Sequence, residues 1–536
     1  MLARLIKNKL LILVLFSLIG LILRLIYFDR ITFGYDQARD ALAALGIWKG
    51  DPIKIMGPTT DIKGLFHGPL YWYLISPFYY FFNKDPAAPR IFLILINLIN
   101  IIFIYLFSKK IFKNSSVALI ASFIFAVSYE ATQYARWLSN PVLALLTIAL
   151  FYYGLWLVFE NKNIGFPLML VSWAASVQFQ FFLIYLLVFV IPVFIYLCYK
   201  DRRKIFIFKK EQIILYPLTI FLLLSFILAE IKFKFQGFKA LLKFFQPVKD
   251  SPPVFRLDFN RLIDKLIINI GNTFTSQNQT TAFIILLLIV VFTVYAWYKK
   301  DALKKQIGFL FIWFISPILI YPIEKNNSYF LNIGNIYPMI MLISLMIYRA
   351  ANPIKKAKNF LIFFVLGLIF LANLKLILKH NQNGEVLFSI QKNMHLNEEK
   401  KIIDYIYMHN NSRFCVNTVT NPLFITTTWS YLFDWYARGK FGFMPIWCGY
   451  PQDGVYGSDI RYLPMEDRIN KNLYLIIEPI EGIPLEYIKA YVKFENLRSK
   501  LIERKQFGTF VVEKRLITND RYFSRDDVFD IIFNRL

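Results

Sequence analysis

The chain has 536 residues, 57% of them hydrophobic and 18% charged, with a formal net charge of +26. Soluble domains are about 45–50% apolar and about one quarter charged, so both figures point away from one, and the apolar content excludes disorder. The apolar residues come in repeated uninterrupted blocks, which excludes a single soluble core and defines a polytopic α-helical membrane protein.

The first block, Leu10 to Phe28, follows a basic start carrying Arg4, Lys7 and Lys9. No small-residue cleavage site follows it, so it reads as an uncleaved first helix. Further blocks run roughly over 90–107, 115–130, 141–158, 165–178, 182–198, 213–229, 281–298, 307–321, 334–348 and 360–378. This predicts about 11 transmembrane helices. With the N-terminus cytoplasmic, the short inner linkers carry 21 Lys and Arg against four acids, Glu160, Asp201, Glu211 and Asp301. That bias is the positive-inside pattern. Most of the +26 is therefore topology signal and attraction to anionic membrane lipid, and no nucleic-acid partner is expected.

Three regions then lie outside: loop 29–88, loop 231–280 with a Ser-Pro-Pro break at 251–253, and the tail from about 380. The chain divides into a membrane domain over 1–379 and an extracytoplasmic α/β domain over 380–536. In the tail, Glu398 to His409 and Thr426 to Tyr436 read as helices. Arg413 to Val419, Tyr474 to Glu478 and Phe510 to Lys514 read as strands. Cys198 sits in an apolar run and reads as inert. Cys415 and Cys448 both lie in the tail, and sequence alone leaves their pairing open. The four histidines show no zinc spacing.

Loop 29–88 balances six basic residues against six acidic ones. A helix over 36–48 places Asp36 and Asp40 four apart on one face, with Leu42, Leu45 and Trp48 on an apolar one. Asp40 has Arg39 or Lys63 as its natural partner. Asp61 and Lys63 follow in Gly-Pro-Thr-Thr-Asp-Ile-Lys-Gly (57–64), and His67 in Phe-His-Gly-Pro-Leu-Tyr (66–71). The aromatic stretch Pro69 to Phe82, broken by Pro77, reads as an interfacial piece. A second cluster, Tyr129 to Pro141, carries Glu130, Arg136 and Asn140 at the outer end of the third span. Gln178 and Gln180 face the same side, as does the turn Glu324 to Tyr329. A carboxylate can take a proton from an acceptor as it attacks a sugar, and Lys or Arg can neutralise a departing phosphate. Each residue also has a plain structural reading. Loop charges are commonly solvated, His67 before Gly-Pro suits a turn, and Asn140-Pro141 is a good helix start. A transporter or flippase of lipid-linked sugars is the alternative of another class. Transporters show broken midplane helices and repeats, whereas here the polar groups collect at one membrane face.

Asp-Gln-Ala-Arg-Asp-Ala (36–41), Gly-Leu-Phe-His-Gly-Pro-Leu-Tyr (64–71) and Tyr-Ala-Arg-Trp-Leu-Ser-Asn-Pro (134–141) stand in an order and topology that resemble the GT-C glycosyltransferases. The nearest branch includes the protein O-mannosyltransferases and the lipid A aminoarabinose transferase. The resemblance covers about residues 1–350 and is strongest over 30–145. It implies an inverting enzyme that takes a sugar from a polyprenyl-phosphate donor to a glycan, lipid or protein acceptor at the outer membrane face. A polymerase or ligase with a diphosphate-linked donor is its near alternative. It maps the catalytic acid onto Asp36 and the segment near the donor phosphate onto His67, and it offers Arg136 as a phosphate contact. Arg39, Asp40, Asp61, Lys63 and Asn140 complete the expected substrate-binding set. Two departures stand out. Gln37 occupies a position where many members are acidic, and Ser139-Asn140 stand where an acid often precedes the proline. No cofactor is assigned. The resemblance leaves a divalent cation open, since some members use one. The segments at Tyr431 to Tyr436 and Leu475 to Pro479 resemble C-terminal extracytoplasmic domains of some bacterial members.

Overall fold

The computed structural model describes residues 9–200, 212–244, 246, 259–320, 332–388, 391–410, 414–450, 471–479, 483–519 and 524–533. Arg413, the Ser251–Pro253 break and the turn at 324–329 lie outside these. The chain forms two compact units. One comprises Met1–Ile26, Pro52–Leu74 and Arg90–Lys379; the other comprises Tyr27–Asp51, Ile75–Pro89 and His380–Leu536.

The first unit is helical. Each expected apolar block folds as a helix: Lys9–Leu25, Pro89–Phe112, Ser115–Val127, Ala144–Phe159, Gly165–Phe179, Leu187–Lys200, Gln212–Lys232, Gln279–Tyr298, Lys304–Ile315, Ile336–Ala351 and Lys358–Asn381. Among the described residues, six stretches are long and apolar enough to cross a membrane: Pro89–Phe112, Asn140–Phe159, Phe181–Lys200, Ile214–Lys232, Gln279–Tyr298 and Lys358–Asn381. The other helices run for 12 to 17 residues. A bilayer needs about 20 residues of helix, so it is the six that carry the membrane reading.

Ala144–Phe159 and Gly165–Phe179 form a hairpin whose backbones touch. A Cβ on Gly154 would lie 2.8 Å from Met169 N, and one on Gly165 would lie 2.6 Å from Val158 N. Glycine at both positions permits this approach, and it fixes the far end of the hairpin, Gln178–Phe181. The first helix ends in a cluster of buried arginines. Arg24 donates to Asn97 Oδ1 (2.7 Å), Gly20 O (2.9 Å) and Ala126 O (2.8 Å). Arg90 donates to Arg24 O and Arg136 to Ile26 O. Carbonyls at a helix C-terminus carry the negative end of the dipole, so they are natural acceptors for cations.

The second unit is a five-stranded sheet with helices against it. Its strands are β1 Cys415–Val419, β2 Ile446–Trp447, β3 Asn472–Ile477, β4 Ser499–Phe507 and β5 Phe510–Ile517, in the order β2-β1-β3-β5-β4. β1 runs parallel to β2 and β3, and β5 antiparallel to β3 and β4. Side chains alternate across the sheet with a period of two. Val419, Leu475 and Ile477 pack with Ile488, Tyr491 and Phe494 of helix Leu485–Arg498. Tyr474 points the other way, where Asn410, beyond helix Leu396–Met408, donates to its hydroxyl. Cys415 and Cys448 form a disulfide with Cα atoms 5.6 Å apart, which closes β1 onto the residue after β2. The expected helix over 426–436 is Thr427–Leu432, continued by a π turn over Phe433–Ala437.

This unit also contains the first-loop helix Tyr35–Trp48. Its approach strand is pinned to the tail: Phe33 N donates to Met394 O, and Leu396 N to Ile31 O. Phe33 and Tyr431 rings meet at 5.2 Å, and Lys84 pairs with Asp434. Ala38, Ala41, Ala43 and Ala44 are fully buried, so the helix sits on its small-residue side. Trp48 is exposed and stacks on exposed Tyr80 at 4.5 Å.

Candidate active site

Helix Tyr35–Trp48 begins with a capping box. Gln37 accepts the Gly34 N–H at 3.0 Å through its side chain. The glutamine that departs from the family pattern is thus engaged in starting the helix. One turn later, Arg39 joins both aspartates. Its Nη1 donates to Asp36 Oδ1 at 2.7 Å, while Nε (3.1 Å) and Nη2 (2.9 Å) donate to Asp40 Oδ1. Side-chain exposure separates the two acids: 32% for Asp36 and 2% for Asp40. Burial works against the Arg39 charge, but Asp40 and then Asp36 outweigh it and raise the guanidinium above its ordinary value. Asp40 therefore resolves to Arg39 as its partner, and Asp36 is the carboxylate left open to solvent.

In the helical unit, residues 57–68 form a tight loop. Gly57 N donates to His67 O, His67 N to Pro58 O and Thr60 N to Leu65 O, with a bridge between Thr59 and Phe66. Asp61 and Lys63 lie exposed in the turn that closes it. Gly68 N donates to Gln178 O, and a Cβ on Gly68 would lie 2.0 Å from Gln178 Oε1. Gln178 is itself held by Ser225 Oγ at 2.7 Å and by Leu222 O. His67 is buried, and its Nδ1 accepts the Phe181 N–H at 3.0 Å. The neutral imidazole consequently carries its proton on Nε2. Asn140 donates to Phe179 O, so His67 and Asn140 both dock on the Phe179–Phe181 turn. Asn140 does not cap the fourth span: Ser139 occupies the N-cap position, and the Asn140 side chain is spent on Phe179.

His67 lines a cavity of about 280 Å³ with Trp173, Phe181, Phe226, Glu230 and Phe238. The lining is apolar except for His67, Glu230 and Gln236. Alanine at Gly68 is expected to force Gln178 aside at a cost of about 1–3 kcal/mol. Thermal unfolding of the purified variant checks this, and an unchanged midpoint would mean the docking is loose.

Arg136 is buried and donates to Ile26 O at 3.1 Å. Glu130, which the sequence places in the second cluster with no assigned role, accepts from Asn269 through Oε1, and Asn269 accepts in turn from Asn332. An acid beside a membrane span was the available signal, but its partners lie 139 and more residues away. Among the described residues, no group of three His, Cys, Asp or Glu side chains converges as a metal site. Asp36 and Asp40 already share the Arg39 cation. This donor set, already engaged by Arg39, does not fit a divalent cation.

The chain shares its fold with solved structures of ArnT. The crystal structure of ArnT from Cupriavidus metallidurans bound to undecaprenyl phosphate matches 94% of this chain and 97% of its own, with a TM-score of 0.59 at 11% identity. The apo state of ArnT from the same organism matches the same shares with a TM-score of 0.55 and 11% identity. A family model described as dolichyl-phosphate-mannose-protein mannosyltransferase matches residues 66–230. No curated protein matches the chain in sequence. The protein is an integral membrane protein that resembles the GT-C glycosyltransferases on their ArnT and mannosyltransferase side.

Proposed function

We propose that the protein is an inverting glycosyltransferase that moves a sugar from a polyprenyl-phosphate donor to an acceptor at the outer face of the membrane. The observation that carries the reading is the Asp36–Arg39–Asp40 arrangement, in which a buried acid and an arginine hold one solvent-open carboxylate in place. Asp36 takes the proton of the acceptor hydroxyl or amine as that atom attacks the anomeric carbon. The bond from that carbon to the phosphate oxygen breaks, and the departing polyprenyl phosphate keeps the electron pair. His67 Nε2–H and Arg136 are assigned to the phosphate, where donors aimed at developing charge lower the barrier. Asp61 and Lys63 keep supporting roles in the same reading, and Asn140 acts through the Phe179–Phe181 turn on which His67 docks. The apolar cavity beside His67 suits a segment of the isoprenyl chain.

The outer placement of the tail is supported by its disulfide, since such bonds persist in oxidising compartments. The inner linkers supply the matching charge bias. The test is direct. Purified protein is supplied with polyprenyl-phosphate mannose and related donors, and release of polyprenyl phosphate is followed. Asp36→Asn is expected to reduce the rate by about 10²–10⁴-fold without lowering the thermal midpoint. Full activity in that variant would remove Asp36 from the chemistry.

A further inference from the structure

The Asp36 carboxylate is oriented by Arg39, but its backbone is held by something else. The amide of Asp36 is one of the donors that an α-helix leaves unsatisfied in its first turn. It donates at 3.3 Å to Gln391 Oε1, from a residue 355 positions away in the same unit. Gln391 Nε2 donates to Asn421 O at 2.6 Å. Asn421 N donates to Glu478 Oε2 at 2.8 Å, and the other oxygen, Oε1, accepts from Trp429 Nε1 at 3.0 Å. Trp429 and Glu478 are both buried. The chain of contacts therefore runs from the start of the Asp36 helix to the C-terminal end of β3.

Gly34 makes this contact possible. A Cβ there would lie 2.2 Å from Gln391 Oε1 and 3.2 Å from Gln391 Cβ. The Gly34 φ is −108°, a value that any residue adopts, so glycine is needed for space and not for backbone conformation. Two glutamines thus finish the first turn: Gln37 receives the Gly34 amide locally, and Gln391 receives the Asp36 amide from the sheet domain.

We propose that Gln391, seated through Asn421 on Glu478, is a positioning residue for Asp36. The proposal rests on Asp36 being the base. The sheet domain then contributes to the chemistry, because it sets where the first turn of the helix sits, while Arg39 sets where the carboxylate points. A misplacement of about 1 Å is enough to cost on the order of 10²-fold in rate.

Three variants of the full-length protein test it, with release of polyprenyl phosphate from polyprenyl-phosphate mannose as the readout. Gln391→Leu keeps the volume and removes the hydrogen bonds to the Asp36 amide and to Asn421 O. Gly34→Ala keeps Gln391 and takes away its space. Both are expected to lower kcat by about 10- to 100-fold, with the donor KM unchanged and the protein folded. Gln391→Glu keeps an acceptor for the Asp36 amide and places a negative charge nearby. It is expected to retain more activity than Gln391→Leu and to move the acid limb of the pH–rate profile upward, because a like charge disfavours ionisation of Asp36. A purely structural role would instead lower the rate in Gln391→Leu only in proportion to the folded protein lost, with no advantage for Gln391→Glu. Wild-type kcat in Gln391→Leu, or a loss of rate that follows the loss of folded protein with an unmoved limb in Gln391→Glu, overturns the proposal. Asp36→Asn serves as the control. If it is inactive while Gln391→Leu is fully active, only the positioning role fails; if it is active, the reading of Asp36 fails first.

Discussion

Arg39→Ala is expected to remove activity by about 100-fold or more and to destabilise the sheet-containing unit at the same time. The guanidinium spans both acids, with Nη1 on Asp36 and Nε and Nη2 on Asp40. Without it, buried Asp40 loses the cation that its own helix supplies. Breaking a buried pair by deleting one partner costs about 3–5 kcal/mol. Arg39→Lys separates the two effects. An ammonium keeps the charge near Asp40 but cannot reproduce the planar fork that reaches Asp36 as well. Stability should recover in large part while the rate stays low. Combining Arg39→Ala with Asp40→Asn should likewise restore folding without restoring turnover. Paired thermal unfolding and turnover measurements on the three variants decide the matter. A lysine variant with full turnover would show that Arg39 does not orient Asp36.

A second large effect concerns pH. Glu399 is fully buried, and among the described residues neither of its oxygens accepts a hydrogen bond. Burial, and then the neighbouring Glu478, raise its carboxyl well above the ordinary range, against the pull of Lys400. Burial also pushes Glu478 up to about 8, although hydrogen bonds from Asn421 and Trp429 act the other way. An unfolded glutamate ionises near 4.5, whereas folded Glu478 holds its proton to about 8. Between those values the folded state binds more protons than the unfolded one, so stability falls as pH rises. The contribution is complete below the lower value and gone above the upper one. The thermal midpoint of the intact protein is therefore expected to drop between pH 5 and pH 8, by an amount equivalent to a few kcal/mol. Glu399→Met should raise the midpoint at pH 8 and flatten the slope, because it replaces an unsatisfied buried carboxyl with an apolar chain of similar size. A midpoint that is level from pH 5 to pH 8 in the parent protein would refute both expectations.

The membrane helices were legible because an uninterrupted apolar run needs no partner to declare itself. The Asp36 helix was legible from the four-residue spacing of its acids, and it starts within one residue of the expected position. The strand over Ser499–Phe507 was not legible. Its sequence, SKLIERKQF, has no apolar alternation, because seven consecutive residues from Lys500 to Gln506 face solvent. The contacts of the site residues were beyond reach for a different reason. That Arg136 meets Ile26, that His67 meets Phe181 and that Gln391 meets Asp36 are facts about chain segments 110, 114 and 355 positions apart. No local pattern encodes such distances. Gln37 shows the limit of motif reasoning in another way. Against a family pattern it counts as a missing acid, whereas in the folded chain it is a helix cap.

The outermost strand has one more consequence. Among the described residues, the sheet ends on one side in β2, only two residues long, and on the other in β4, nine residues long and hydrogen-bonded along one side to β5. A long open edge is a template for pairing with another chain. Copies of a membrane protein diffuse in a plane and hold equivalent parts at equal height, so their sheet edges meet far more often than those of molecules tumbling in solution. β4 carries Lys500, Glu503, Arg504 and Lys505 along that edge, and β2 offers too little backbone to pair with. Charge on one margin and brevity on the other keep neighbours from zipping together in a crowded bilayer.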